Sequence, residues 1–234
     1  MHRTIVLAIS TVALTAAGSA FADSPKLKGA YGFTGTAACL VAPGHITTDT
    51  TNPNPGTPLP NSGFKPNLQP NDATPGGTQS SFARSFSVEG IRTFDGHGNG
   101  TVKGTVVGIV TRPTPGPNGY PNFPPSASGG DFSFSFTYTV NPDGSWDSAM
   151  VPGSYSEIFT AGPRTGQTAI VDAIPPVHGM VSQDGKTLIA AHLDPVVETH
   201  VFSNGDAYPE ICHRSRVFIK LQDTDDDDRG RGRD

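Results

Sequence analysis

Apolar and polar positions along this chain alternate one for one over long stretches. Residues 132–140, FSFSFTYTV, place Phe132, Phe134, Phe136, Tyr138 and Val140 on one parity and Ser or Thr on the other. Successive strand side chains point to opposite faces, so this pattern predicts a strand with one dry and one wet side. The stretch SSFARSFSVEGIRTF repeats it, with Phe82, Phe86, Val88 and Phe94 in phase, and a Val- and Thr-rich run follows at 101–111. No segment carries a period of 3.6. Strands are predicted over about 30–40, 80–94, 101–111, 131–140, 145–160, 167–174, 177–183, 187–193, 196–203 and 208–221.

Turn chemistry separates these runs. NPDG at 141–144, QDG at 183–185 and SNGD at 203–206 each supply a residue pair able to take positive φ. FDGHGNG at 94–100 is more ambiguous, because Asp95, His97 and Asn99 match the first half of a calcium loop. An EF-type loop needs a bidentate Glu at its twelfth position, and Val106 stands there. The stretch therefore reads as a hairpin turn. A meander of eight to ten strands must hide its edges, and an antiparallel up-and-down β-barrel does so completely, with a two-sheet sandwich as the alternative all-β arrangement.

Proline breaks the meander twice, between Pro43 and Pro75 and between Pro113 and Pro125. Proline cannot donate to a ladder, so both stretches are expected as loops outside the barrel. The ends differ from the body. His2 and Arg3 precede an apolar run and the small residues Ala20 and Ala22, which reads as a secretory signal over 1–22, cleaved near Ala22. Residues 223–234 carry six Asp and three Arg without apolar anchors and are expected to be a disordered acidic tail. One domain over 23–222, secreted or periplasmic, remains. A formal net charge of −5 provides no basic face for nucleic acid, and no later stretch is apolar enough to span a membrane as a helix.

Two cysteines, Cys39 and Cys212, lie at opposite ends of the strand series. In an exported chain an even pair points to a disulfide, which here places the first strand beside the last. Tyr31-Gly32-Phe33, then Gly90, Phe94-Asp95-Gly96-His97-Gly98 and Gly104, then Tyr138 to Gly144, resemble small exported bacterial barrels. These are similar in plan to the lipocalin-like calycins and the allene-oxide-cyclase-like barrels. The resemblance implies a barrel over most of 29–221. The lipocalin Gly-X-Trp is absent near the first strand, and no family site residue carries over.

Chemistry is sparse. There is no Gly-X-Ser-X-Gly nucleophile and no phosphate-binding loop between a strand and a helix. His178, His192, His200 and His213 are scattered without HxH or HxxxH spacing, so no metal or cofactor is expected. Glu198 and His200 share a strand face, read as solvated if Val197 and Val201 face the core. Arg84 and Arg92 fall in phase with the apolar face of their strand. A buried guanidinium must be paired, so one expectation is an internal partner among Glu157, Glu198 and Glu210, or a bulge at Gly90 that turns Arg92 outward. The other is that Arg92 receives the carboxylate of an amphipathic ligand. Arg84, Arg92, Phe134 and Phe136 are accordingly the candidate ligand-binding residues. Binding of a small hydrophobic or amphipathic molecule leads the functional readings. A structural or surface-interaction role with a filled barrel comes next, then a cyclase- or isomerase-type enzyme.

Overall fold

The computed structural model describes residues 26–44, 63–71, 81–111, 126–172, 174–192 and 194–222. The expected signal, the acidic tail and most of both Pro-rich stretches lie outside them. Eleven strands form one antiparallel sheet: β1 (Lys28–Val41), β2 (Phe82–Asp95), β3 (Asn99–Thr111), β4 (Ser126–Val140), β5 (Ser145–Met150), β6 (Ser156–Ala161), β7 (Thr168–Asp172), β8 (Val177–Val181), β9 (Thr187–Ala191), β10 (Val197–Phe202) and β11 (Ala207–Lys220). There is no helix among the described residues.

The sheet closes on itself. β1 pairs with β11 from Tyr31↔Lys220 to Val41↔Glu210, completing a ring of eight strands in the order β1-β2-β3-β4-β5-β8-β9-β11. A second feature was not expected. The two long strands β4 and β11 each serve two partners in succession. β4 pairs with β6 over Gly129–Ser133 and with β5 over Phe136–Val140. β11 pairs with β10 over Ala207–Ile211 and with β9 over Ser215–Ile219. One wall is thus two three-stranded arms, β5-β8-β9 and β6-β7-β10, one above the other. The chain crosses between them on passing from β5 to β6, from β7 to β8 and from β9 to β10.

Local chemistry explains the arms. The run predicted as a single strand at 145–160 is broken by Pro152 and by Gly153 at φ 73°. Pro152 cannot donate to a ladder, and the Ser154 hydroxyl donates to Val151 O at 2.6 Å, fixing the turn. FDGHGNG is the hairpin turn that the missing calcium ligand implied. Asp95 Oδ1 accepts from the backbone N–H of His97 at 2.6 Å and of Asn99 at 3.0 Å, while Gly96 and Gly98 take positive φ.

The inward parity is the aromatic one. Gly100 and Gly104 on β3 let the rings of Phe136 and Phe132 lie flat across that strand; a Cβ at Gly100 would overlap the Phe136 ring. Two of the apolar clusters that result are rich in aromatic rings. The larger gathers Tyr31, Phe33, Phe94, Phe136, Tyr138, Trp146, Leu188 and Phe218, and the smaller gathers Val41, Phe159, Ala169, Phe202 and Tyr208. From the first Pro-rich stretch, residues 63–71 are described. They form a small loop bridged at Phe64↔Pro70 and bonded to Pro43 O through Gly63 N–H.

Cys39 and Cys212 are directly opposed on β1 and β11 and are disulfide-bonded across 173 residues of sequence. In the chain-entropy account a loop of that length contributes about 5 kcal/mol through the unfolded state. Replacing both cysteines by serine should leave the eleven-pair β1–β11 ladder formed but lower the denaturant midpoint strongly. An unchanged midpoint in urea would show that the bond adds nothing to closure.

Candidate functional site

Between the two apolar clusters lies a cavity of about 140 Å³. Its wall takes Arg84, Phe86, Val88 and Arg92 from β2, and Val102 and Val106 from β3. Phe132 and Phe134 come from β4, Tyr155 and Glu157 from around the start of β6, and His200, Arg214, Arg216 and Phe218 from β10 and β11. Ile174, Val177 and His192, at or beside the crossings between the arms, complete it. The division of the wall therefore supplies side chains that an unbroken strand pattern would have placed elsewhere.

The polar part is a belt of buried charge. Arg84 donates to Glu210 Oε1 at 2.6 Å, which confirms the expectation of an internal acid for this residue. His200 Nδ1 lies 3.0 Å from the same oxygen, and its Nε2 lies 3.8 Å from Glu157 Oε2, which accepts the Tyr155 hydroxyl at 2.9 Å. Arg214 donates to Glu198 and to His192 Nδ1. Glu198 and His200 are therefore not solvated. They are 0% and 6% exposed, because β10 turns its even positions inward while Val197 and Val201 stay half-buried outside. Burial of a charged group is costly unless it is paired, and each of these has a partner.

The pairing sets the titration. Burial alone would raise Glu210, but Arg84 and then His200 outweigh it and hold the carboxyl down at about 2. Burial opposes protonation of His200, yet Glu210 keeps the imidazole above its ordinary value. Glu198 moves the other way. Burial raises it despite Arg214. Burial and the neighbouring Arg214 push His192 down to about 3, so it serves Arg214 as a neutral acceptor.

Arg92 has no carboxylate. Gly90 makes no bulge, for the β1–β2 and β2–β3 registers run through it unbroken. Arg92 therefore points inward and is 4% exposed. It donates to Ser148 Oγ, and its guanidinium lies 3.6 Å from the Phe136 ring centre and 5.1 Å from that of Trp146. Its Nε has no hydrogen-bond partner. Burial, with Arg216 nearby, lowers it to about 9, so it is still a cation at neutral pH. Aromatic faces provide part of what water would have supplied.

The four sequence candidates thus divide. Arg92 and Phe134 form cavity wall, Arg84 forms wall with its charge engaged by Glu210, and Phe136 lies behind Arg92 in the core rather than on the wall. Sequence reasoning did not single out Tyr155, Arg214 or Arg216, and considered His192 only among the scattered histidines. Arg214 and Arg216 share the inward parity of Phe218, a signal that was legible. Tyr155 and His192 depend on the arm crossings. Cys39, Glu210 and Cys212 bring ligand atoms within 4.8 Å of one another, but both sulfurs are in the disulfide and are not thiolates.

No family model matches the chain, and no curated protein matches it. Among solved structures it is similar to the enduracididine biosynthesis enzyme MppR complexed with the condensation product of pyruvate and imidazole 4-carboxaldehyde. The two are 12% identical with a TM-score of 0.16, over 87% of this chain and 90% of that one. A likeness at that score carries nothing about fold or function.

Glu210→Gln leaves Arg84 and His200 without their shared counter-charge and should cost about 3–5 kcal/mol near neutral pH. The lowered carboxyl pKa contributes stability above about pH 4.5, where the unfolded carboxyl is ionised, and that stability is lost as pH falls toward about 2. Urea melts between pH 7 and pH 2 should therefore show a smaller acid loss in Glu210→Gln than in the parent protein. Parallel acid limbs would remove Glu210 from that role.

Proposed function

We propose that the protein is an exported carrier or receptor for a small amphipathic anion held inside the strand ring. The observation that carries this reading is the buried Arg92 guanidinium, which has no carboxylate partner, on the wall of a cavity lined by both aromatic and charged side chains. The inner wall carries four guanidinium groups, Arg84, Arg92, Arg214 and Arg216, against three carboxylates, Glu157, Glu198 and Glu210. Each of the three carboxylates has a cationic neighbour, whereas the Arg216 guanidinium donates only to the backbone oxygens of Thr36 and Ser215. A carboxylate is the group to which a guanidinium without a counter-charge donates best, and burial strengthens the contact. The cavity favours binding over a filled, purely structural ring. Export rests on the expected signal at 1–22, and the disulfide agrees with an oxidising compartment.

A proton-transfer enzyme is the second reading, favoured by the Tyr155–Glu157–His200 contacts on the same wall. Binding is preferred because every member of that network already has a partner within the protein.

Trp146 is the only tryptophan and touches Arg92, so its fluorescence reports on the anion site. A panel of small alkyl and aromatic carboxylates is titrated against the matched alcohols. A charge-assisted bond contributes about 1.5–3 kcal/mol, so the acids should bind about ten- to hundred-fold more tightly. Arg92→Gln should abolish that preference. Gly108→Leu should block binding by filling space, since a Cβ at Gly108 meets nothing closer than Ser128 Oγ at 3.4 Å. Acids and alcohols binding alike, or no binding at all, would overturn the proposal.

A further inference from the structure

We infer that the anion is an aromatic carboxylate: one planar ring with its acid group attached directly or through a short arm. This rests on the anion-binding reading above and narrows it by size and shape. An apolar cavity of about 150 Å³ takes one benzene molecule. At about 140 Å³ the cavity here is on the scale of a single aromatic ring.

Shape comes from three rings. Phe132, Phe134 and Tyr155 are mutually near-parallel, with interplanar angles of 17°, 13° and 24° and centroids 6.2–6.3 Å apart. All three line the cavity, and all three are only partly buried. Three aromatic side chains held in one orientation offer parallel ring faces to the cavity, whereas a site for a flexible chain has no need of such alignment. An aromatic ring in an offset arrangement gains contact energy on such a wall beyond its buried area. Phe86 also lines the cavity, with the guanidinium groups of Arg84 and Arg214 at 5.3 and 5.6 Å from its ring centre.

Register places the acid end. Arg92 is opposite Val102 on β3, and Val102 is opposite Phe134 on β4. Arg92 and Phe134 therefore share one row two strands apart, about 10 Å at the strand spacing. Side chains from both ends of that row turn into the cavity, so a ring on the Phe134 side has its carboxylate facing Arg92. On Arg216, the other guanidinium without a hydrogen-bonded carboxylate, Nη1 is directed to Thr36 O and Ser215 O, and the side chain is less buried than Arg92, which leaves Arg92 as the better-sheltered anchor.

Calorimetric titration of the full mature protein with benzoate and trans-cinnamate, against cyclohexanecarboxylate and 3-cyclohexylpropionate, isolates the ring. The acids in each pair share charge and ring size and differ mainly in flatness and π character. The aromatic acids should bind roughly two- to ten-fold more tightly, and Phe134→Leu, checked for folding by its melting transition, should bring the paired affinities together. Cyclohexyl acids binding equally well or better to the parent protein would overturn this inference while leaving the anion-binding reading intact. Binding by none of the four would overturn both.

Discussion

The interior of this protein depends on the ladder between β1 and β11, because only that pairing converts a long open meander into an enclosed space. Eleven residue pairs and the Cys39–Cys212 bond hold it. On the inner side of that seam stand Tyr31, Phe33 and Ala37 from β1, with Glu210, Arg214 and Phe218 from β11. Opening the seam would expose a sheet edge and put the charged belt back into water. It would thereby remove both the aromatic shelter of Arg92 and the low dielectric that makes its charge effective.

Within the ring, charge and shape are arranged in sequence along the strands. Members of the larger aromatic cluster and of the smaller one both line the cavity, together with Arg84 and Arg214 of the charged belt. Most of the belt is satisfied internally, so it stabilises a particular packing of β2, β10 and β11 instead of offering sites to a ligand. Arg92 differs because its neighbours are rings and a serine hydroxyl. A buried cation with those neighbours retains an electrostatic demand that an external anion can meet.

The division of one wall into two arms joins the fold to the site. Had residues 145–160 run as a single strand, Tyr155 would have continued the β5 ladder. With Pro152 and Gly153 turning the chain, Tyr155 instead comes to lie parallel to Phe132 and Phe134. Aligned rings, an aromatic-lined guanidinium and a cavity the size of one ring are consequences of that division and of the closure together.

Period-two alternation and turn chemistry were enough to place most of the strands and the hairpin at FDGHGNG, and to put Arg84, Arg92, Phe134 and Phe136 in phase with the apolar side of their strands, because these follow from backbone geometry over a few residues. The cysteine pair extended this to the closure. Which charges meet was not legible: Arg84 selects Glu210 rather than Glu157 or Glu198 through the stagger of β2, β1 and β11, a relation among residues over a hundred positions apart. Glu198 and His200 read as solvated because alternation defines two faces but not which one is inside. That choice belongs to the sheet as a whole, since one register step exchanges the faces of every residue in a strand. The two-armed wall was hidden for the same reason. A strand's pattern records that it pairs, but not that it changes partner halfway along its length.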